Sequence, residues 1–245
     1  MIRFFTKYIS VLMLLTAIFI ADYAQAQKKS DTGKNLAAFD RRKYHFGMHL
    51  GYNNSSFYLK RNFDPEFNDS LVNVTSFKQP GFIIYTLASY HFNKNVSVRL
   101  GPGISPRVRI LNYEFISDDG TPKLIDKEIR SFYVDFPLDV KYRSDRINNF
   151  AVYIAAGGQY SLDVASQKNV DNAAIENSFV KIANGNYLAN IGGGFDFFLP
   201  YFKFGVELRY SYGLKNLLIE DGTPFSNTID RLSSRNFTLA FTFEG

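Results

Sequence analysis

Large apolar side chains recur at every second position through most of this chain. Tyr44, Phe46, Met48, Leu50 and Tyr52 share one parity, and His45, Gly47, His49 and Gly51 share the other. Successive side chains of an extended strand point to opposite faces, so a period of two predicts a strand with one apolar face and one small or polar face. The pattern returns at Val96, Val98, Leu100, Ile104, Val108 and Ile110 against Ser97, Arg99, Gly101, Gly103, Ser105, Arg107 and Arg109. It returns again at Phe132, Val134, Phe136, Leu138, Val140 and Tyr142 against Tyr133, Asp135, Asp139 and Lys141. Its cleanest run is Phe202, Phe204, Val206, Leu208, Tyr210 and Tyr212 against Lys203, Gly205, Glu207, Arg209 and Ser211. A soluble sandwich also alternates, but it fills its core with branched aliphatics and turns its polar face to water. Here Phe and Tyr crowd one face while glycines and charges of both signs line the other. That division fits an apolar exterior and a polar lumen.

Strands are predicted near 44–53, 79–92, 96–111, 129–143, 150–164, 187–198, 202–213 and 233–244. The second is the least regular, because Ile83, Tyr85 and Leu87 fall on its polar parity. The links alternate. Long ones at 54–78, 112–128, 165–186 and 214–232 are separated by short ones at 93–95, 144–149 and 199–201. Short turns at one end and long loops at the other are the layout of a transmembrane barrel. The predicted fold is therefore all-β, an antiparallel up-and-down transmembrane β-barrel of about eight strands spanning 44–245. The last strand, with Phe237, Leu239, Phe241 and Phe243 in alternation, would close it against the first.

The N-terminus adds a compartment. Arg3 and Lys7 precede an apolar run from Tyr8 to Ala21, and Ala24-Gln25-Ala26 supplies a small-x-small cleavage site. This is the layout of a secretory signal peptide over 1–26, with an apolar run too short for a bilayer span. Residues 27–43 are polar and basic, and read as a largely unstructured periplasmic arm. After Gln27 no apolar run approaches helix-spanning length, so residence in a membrane requires a closed barrel without open edges. The expected location is the cell outer membrane, with lipid as the first partner.

Composition narrows the chemistry. The 245 residues include 25 Phe and 16 Tyr but no Cys, which excludes disulfides and thiolate metal sites. The net charge of +5 is carried by residues alternating along strands, not by a basic helix or a stacking motif, so it does not point to nucleic acid. His45 and His49 share a face but lie about 13 Å apart on extended chain, too far for one ion. Gly157-Gly158 and Gly192-Gly193-Gly194 lie within strand patterns and not before a helix, so they read as curvature relief and not as a phosphate loop. Asp119-Gly120-Thr121-Pro122 recurs as Asp221-Gly222-Thr223-Pro224, which turn chemistry explains. No catalytic, cofactor-binding or metal-binding residue is predicted, no small-molecule substrate is expected, and the chain reads as no enzyme. The candidates of interest are lumen charges: Arg99, Arg107 and Arg109 with Asp135, Asp139, Asp196 and Glu207. An eight-strand barrel is just wide enough for side chains, and enclosed charges must pair, so these are expected to form an ion-pair plug and not a pore.

Several stretches carry a resemblance. They are Tyr44 to Asn53, Asn93 to Pro102, Tyr133-Val134-Asp135-Phe136-Pro137-Leu138, Arg146 to Phe150, Tyr160 to Lys168 and Phe195 to Phe204. In this order and spacing they resemble PorT-like outer-membrane proteins of the Bacteroidetes, with Ser161 to Lys168 and Asp196 to Phe204 the more specific. The resemblance implies an accessory role in type IX protein secretion, and in gliding in some relatives. It implies other secretion components as partners and supplies no catalytic residues. The alternative is a small barrel of the OmpA or OmpX kind with a structural or adhesive role.

Overall fold

The computed structural model describes residues 33–61, 71–116, 120–165, 180–220, 226 and 228–245. The expected signal peptide, 1–26, and the Asp221-Gly222-Thr223-Pro224 repeat lie outside the described residues. Among the described residues ten strands form one antiparallel sheet: β1 (Tyr44–Arg61), β2 (Leu71–Phe77), β3 (Gln79–His91), β4 (Val96–Leu100), β5 (Gly103–Ile116), β6 (Pro122–Arg143), β7 (Phe150–Asp163), β8 (Gly185–Phe198), β9 (Lys203–Gly213) and β10 (Ile229–Glu244). The sheet closes. β1 pairs with β10 from Gly47↔Glu244 and with β3 from Tyr44↔Tyr90, so β1, β10, β9, β8, β7, β6, β4 and β3 form a ring of eight. Closure removes the open edges that lipid cannot tolerate. No described helix is long and apolar enough to cross a membrane.

Two of the ten strands are continuations of others. The predicted strand 96–111 is broken at Gly101-Pro102, where proline has no N–H to give. The Pro102 carbonyl compensates by accepting from both Thr86 N (3.0 Å) and Thr86 Oγ1 (2.8 Å). β5 resumes at Gly103, where any Cβ would overlap the Ile84 carbonyl and Tyr85 of β3. β2 lies inside the predicted loop 54–78 and runs into β3 across Lys78.

The predicted loops are shorter than expected because strands run past the apolar band. On β6 the outward apolar positions are Phe132 to Tyr142. Ten steps of about 3.4 Å at a tilt near 45° span roughly 24 Å, the height of a barrel's lipid-facing band. β6 nevertheless has 22 residues, and its outward side beyond the band carries Glu128 and Arg130, paired at 2.8 Å. β1, with 18 residues, likewise runs on to Arg61. Inward parity is as expected, and it settles the irregular strand: Ile83, Tyr85 and Leu87 are buried in the lumen, while Phe82 and Ile84 are exposed.

Candidate functional site

The interior has three zones, and each is built by a different stretch of the strands. In the middle, charges pair both across the bore and between neighbouring strands. Arg99 lies beside Asp139 in the β4–β6 register, yet its Nη2 donates to Glu207 Oε2 (2.8 Å) on β9, diametrically opposite in the ring. Arg209 joins Asp139 (2.7 Å) to Glu207 (2.7 Å), and Tyr153 Oη donates to Glu207 Oε2 (2.9 Å). A second set runs from Lys141 to Asp196 (2.8 Å) and from Lys203 to Glu244 (2.9 Å). A third sets Arg107 on Asp135 (2.6 Å), which also accepts from Tyr85 Oη (2.6 Å) and Ser161 Oγ. All these charged side chains are buried. A buried ion is tolerated only when paired and hydrogen-bonded; the first set ties opposite walls together, and the other two bind neighbouring or next-neighbouring strands.

The long side chains need slots, and inward glycines make them. A Cβ at Gly194 would overlap the Val206 carbonyl and sit 2.9 Å from Tyr153 Oη. One at Gly157 would sit 2.7 Å from Asp139 Oδ1. Among the pockets between these side chains is one of about 10 Å³, bordered by Asn53, Tyr85, Arg107 and Arg209, room for about one water.

Six of the seven predicted lumen residues, Arg99, Arg107, Asp135, Asp139, Asp196 and Glu207, lie in this zone. Arg109 requires a correction. It is fully buried, but its Nη1 donates to Ser234 Oγ (3.2 Å) and its Nη2 to Tyr133 Oη (2.8 Å), with no carboxylate partner among the described residues. Its guanidinium lies 4.5 Å from the Phe57 ring centroid instead. It sits one pair too far along β5 to reach the carboxylates. Lys141, Lys203, Arg209 and Glu244 were not among the predicted pairs. Their signal was present in the sequence, since all four fall on the inward parity.

At the short-turn end the lumen is closed by the arm. Gln27 to Lys43 was expected to be largely unstructured, but Asn35 to Arg42 forms a folded cap around a 3-10 turn, Phe39–Arg41. Phe39 is buried, stacked on His45 (3.6 Å between centroids, 17°) and edge-on to His91 and Phe198. Asp40 bridges Arg143 (2.6 Å) and Arg146 (3.1 Å), and Asn35 is held by Asn149 Oδ1 (2.8 Å) and the Phe198 carbonyl (2.9 Å). Burial alone would raise the Asp40 carboxyl. The two guanidinium groups outweigh it and hold the carboxyl below its ordinary value. His45 thus packs against the cap, and His49 lies edge-on to Tyr85. No set of three His, Cys, Asp or Glu with metal-binding geometry occurs among the described residues.

At the long-loop end the interior turns apolar. Phe57, Val74, Leu111, Tyr113, Ile129 and Ile229 project from five strands and meet Val180, Ile182, Leu217 and Leu218 from the connecting segments. Those segments are pinned by Ala183 N to Leu217 O (2.8 Å) and Leu217 N to Leu232 O (2.8 Å).

Solved structures similar to this chain include outer-membrane barrels. The chain is similar to Neisserial surface protein A, at 12% identity and a TM-score of 0.40, over 81% of this chain and 96% of that one. It is similar to OprG of Pseudomonas aeruginosa at 12% and 0.44, over 83% and 97%. It is similar to OmpT, an outer-membrane protease of Escherichia coli, at 13% and 0.42, over 89% and 98%. No curated protein is significantly similar in sequence. The family model for the outer membrane protein beta-barrel domain matches residues 24–218. With a closed ring of eight strands, an apolar outer band and a polar bore, this chain belongs to the outer membrane protein beta-barrel domain family.

Proposed function

We propose that this barrel is a non-conducting, non-enzymatic outer-membrane protein with a structural or adhesive role, acting through its outer surfaces. The observation that carries this reading is the state of the lumen: ion pairs tie opposite walls across the bore, and packed residues cover both ends. The short turns and the arm then face the periplasm, and the extended strand ends face outward. Planar-bilayer recording on the purified chain tests it. Little or no conductance is expected, and large stable channels would overturn it. Cleavage after Ala26 belongs to the same reading, so intact-mass measurement should place Gln27 at the mature N-terminus.

A second reading is an accessory role in type IX secretion, favoured by the PorT-like stretches Ser161 to Lys168 and Asp196 to Phe204. In that reading cargo passes elsewhere, and the barrel serves as a membrane-fixed docking piece. Loss of cargo export in a deletion strain, restored by the intact gene, would separate it from the first.

A further inference from the structure

The outward side of the wall changes character where β9, β10 and β1 leave the lipid band. Outward positions on β10 read Phe243, Phe241, Leu239 and Phe237, then Arg235, Ser233 and Arg231. Those on β1 read Tyr44, Phe46, Met48, Leu50 and Tyr52, then Asn54, Ser56, Tyr58 and Lys60. The register sets Arg235 between Ser56 and Tyr212, and Arg231 opposite Lys60. Two residues at about 3.4 Å each and a tilt near 45° lift Arg235 about 5 Å beyond Phe237. That height falls in the headgroup layer, which is roughly 5–8 Å deep on each side of the hydrocarbon.

Charge in this patch is not balanced. Like charges opposite each other on paired strands repel. Lys60 is relieved by Asp230 (2.6 Å). Arg231 donates only to neutral oxygens, from Nη2 to the Leu214 carbonyl (2.8 Å) and from Nε to Ser233 Oγ (3.2 Å). Arg235 lies over the Tyr58 ring, 4.3 Å from its centroid, and Tyr212 stands 6.3 Å from the same ring. The Arg235 Nε is buried with no hydrogen-bond partner, and no carboxylate pairs with Arg231 or Arg235 among the described residues. β6 treats its outward arginine at this end differently, since Arg130 is neutralised by Glu128 (2.8 Å).

We propose that this patch binds the phosphate of a phosphorylated glycolipid in the outer leaflet, with Arg235 as the main contact and Arg231 as the second. A guanidinium offers a planar fork of donors that matches two phosphate oxygens, and the Tyr58 ring holds the fork in place. Below it, Phe237 and Tyr210 are partners in register and both exposed, a surface for acyl chains. The occupant must therefore be apolar along the band and anionic one step beyond it. A lipid meets both demands in one molecule, and a soluble anion meets only the second. The inference rests on the reading above that the long-loop end faces outward.

The test uses the full chain purified in an uncharged detergent, with bound lipid read by native mass spectrometry. The probes are lipid A with its phosphates, the same lipid with them removed, and inorganic phosphate. Wild type should hold the phosphorylated lipid at least about tenfold more tightly than the dephosphorylated one. Arg235→Gln should abolish that preference, and Arg235→Lys, which keeps the charge but loses the fork, should retain part of it. Arg130→Gln on β6 should leave it unchanged. Arg231→Gln, expected to weaken the preference, is the second variant in case Arg235→Gln does not give the folded gel mobility. Equal binding of the two lipids by wild type, or a preference that survives both glutamine variants, would overturn the proposal. So would displacement of the lipid by an equal concentration of inorganic phosphate, since the ligand would then be a free anion. Labelling of Glu220→Cys by a membrane-impermeant maleimide keeps the two ideas apart. A barrel labelled on intact cells that ignores lipid phosphate sinks the patch alone. Labelling that requires permeabilised cells sinks the orientation, and the outer-leaflet assignment with it.

Discussion

The middle of the lumen and its long-loop end enclose the same bore with opposite materials. The middle is filled by Arg99, Arg107, Arg209, Lys141 and their carboxylates, slotted over glycines. The loop end is filled by Phe57, Leu111, Tyr113, Leu217 and Leu232. The difference follows from what lies outside. Along the lipid band the outward positions are mostly large and apolar, with Phe, Tyr, Leu, Ile and Val foremost. A chain apolar on both faces there would lose the alternation that specifies register. Charged inward positions keep the two faces distinct. Beyond the band the outside is water, so the inside can be apolar, as in any soluble sheet. Arg109 marks the border, holding a charge among rings and hydroxyls.

The largest expected effect comes from breaking the middle zone at its hub. Glu207→Ala strands Arg99 and leaves Arg209 with Asp139 alone, and removing one partner of a buried pair costs about 3–5 kcal/mol. The folded fraction in urea, read by gel mobility of unheated samples, should fall accordingly. A loss under 1 kcal/mol would mean that water already solvates these charges. At the loop end Leu232→Ala should cost about 2–4 kcal/mol by cavity formation. It should also be the less sensitive of the two to added salt. Equal salt dependence would erase the contrast between the zones.

The smallest effect concerns the arm. Because the folded Asp40 carboxyl lies below its ordinary 3.8, its contribution is complete above about pH 4 and is lost as pH falls through the depressed value. A nitroxide on Ala37→Cys, the chain's sole thiol, should show unchanged mobility from pH 8 to 5 and rising mobility only in stronger acid. Release near neutral pH would mean that a group other than Asp40 governs docking.

Much of the band was legible from alternation alone. Phe202 to Tyr212 and Phe132 to Tyr142 lie on the faces their parity assigns. The strand ends were not legible, because Lys123 to Arg130 carries charge on its outward side and looks like loop when read for apolar content. Phe39 was hidden for the opposite reason: one aromatic in a basic arm has no period, and its seat comes from residues far apart in sequence. The ion-pair partners were legible as a set but not as pairs. Parity gives a face, while pairing across a bore depends on which strands stand opposite, and that is known only once the ring is closed.

That seat has a consequence for the order of events during biogenesis. Phe39 rests on His45 of β1, His91 of β3 and Phe198 of β8, with the Lys203 ammonium of β9 4.7 Å from its ring. The socket exists only after the first and last thirds of the chain have met. The arm is therefore among the first parts of the barrel to be synthesised and among the last to settle. Until then Arg41, Arg42 and Lys43 ride on a loose tail; once Phe39 is seated they stay exposed, but on a backbone held in one place.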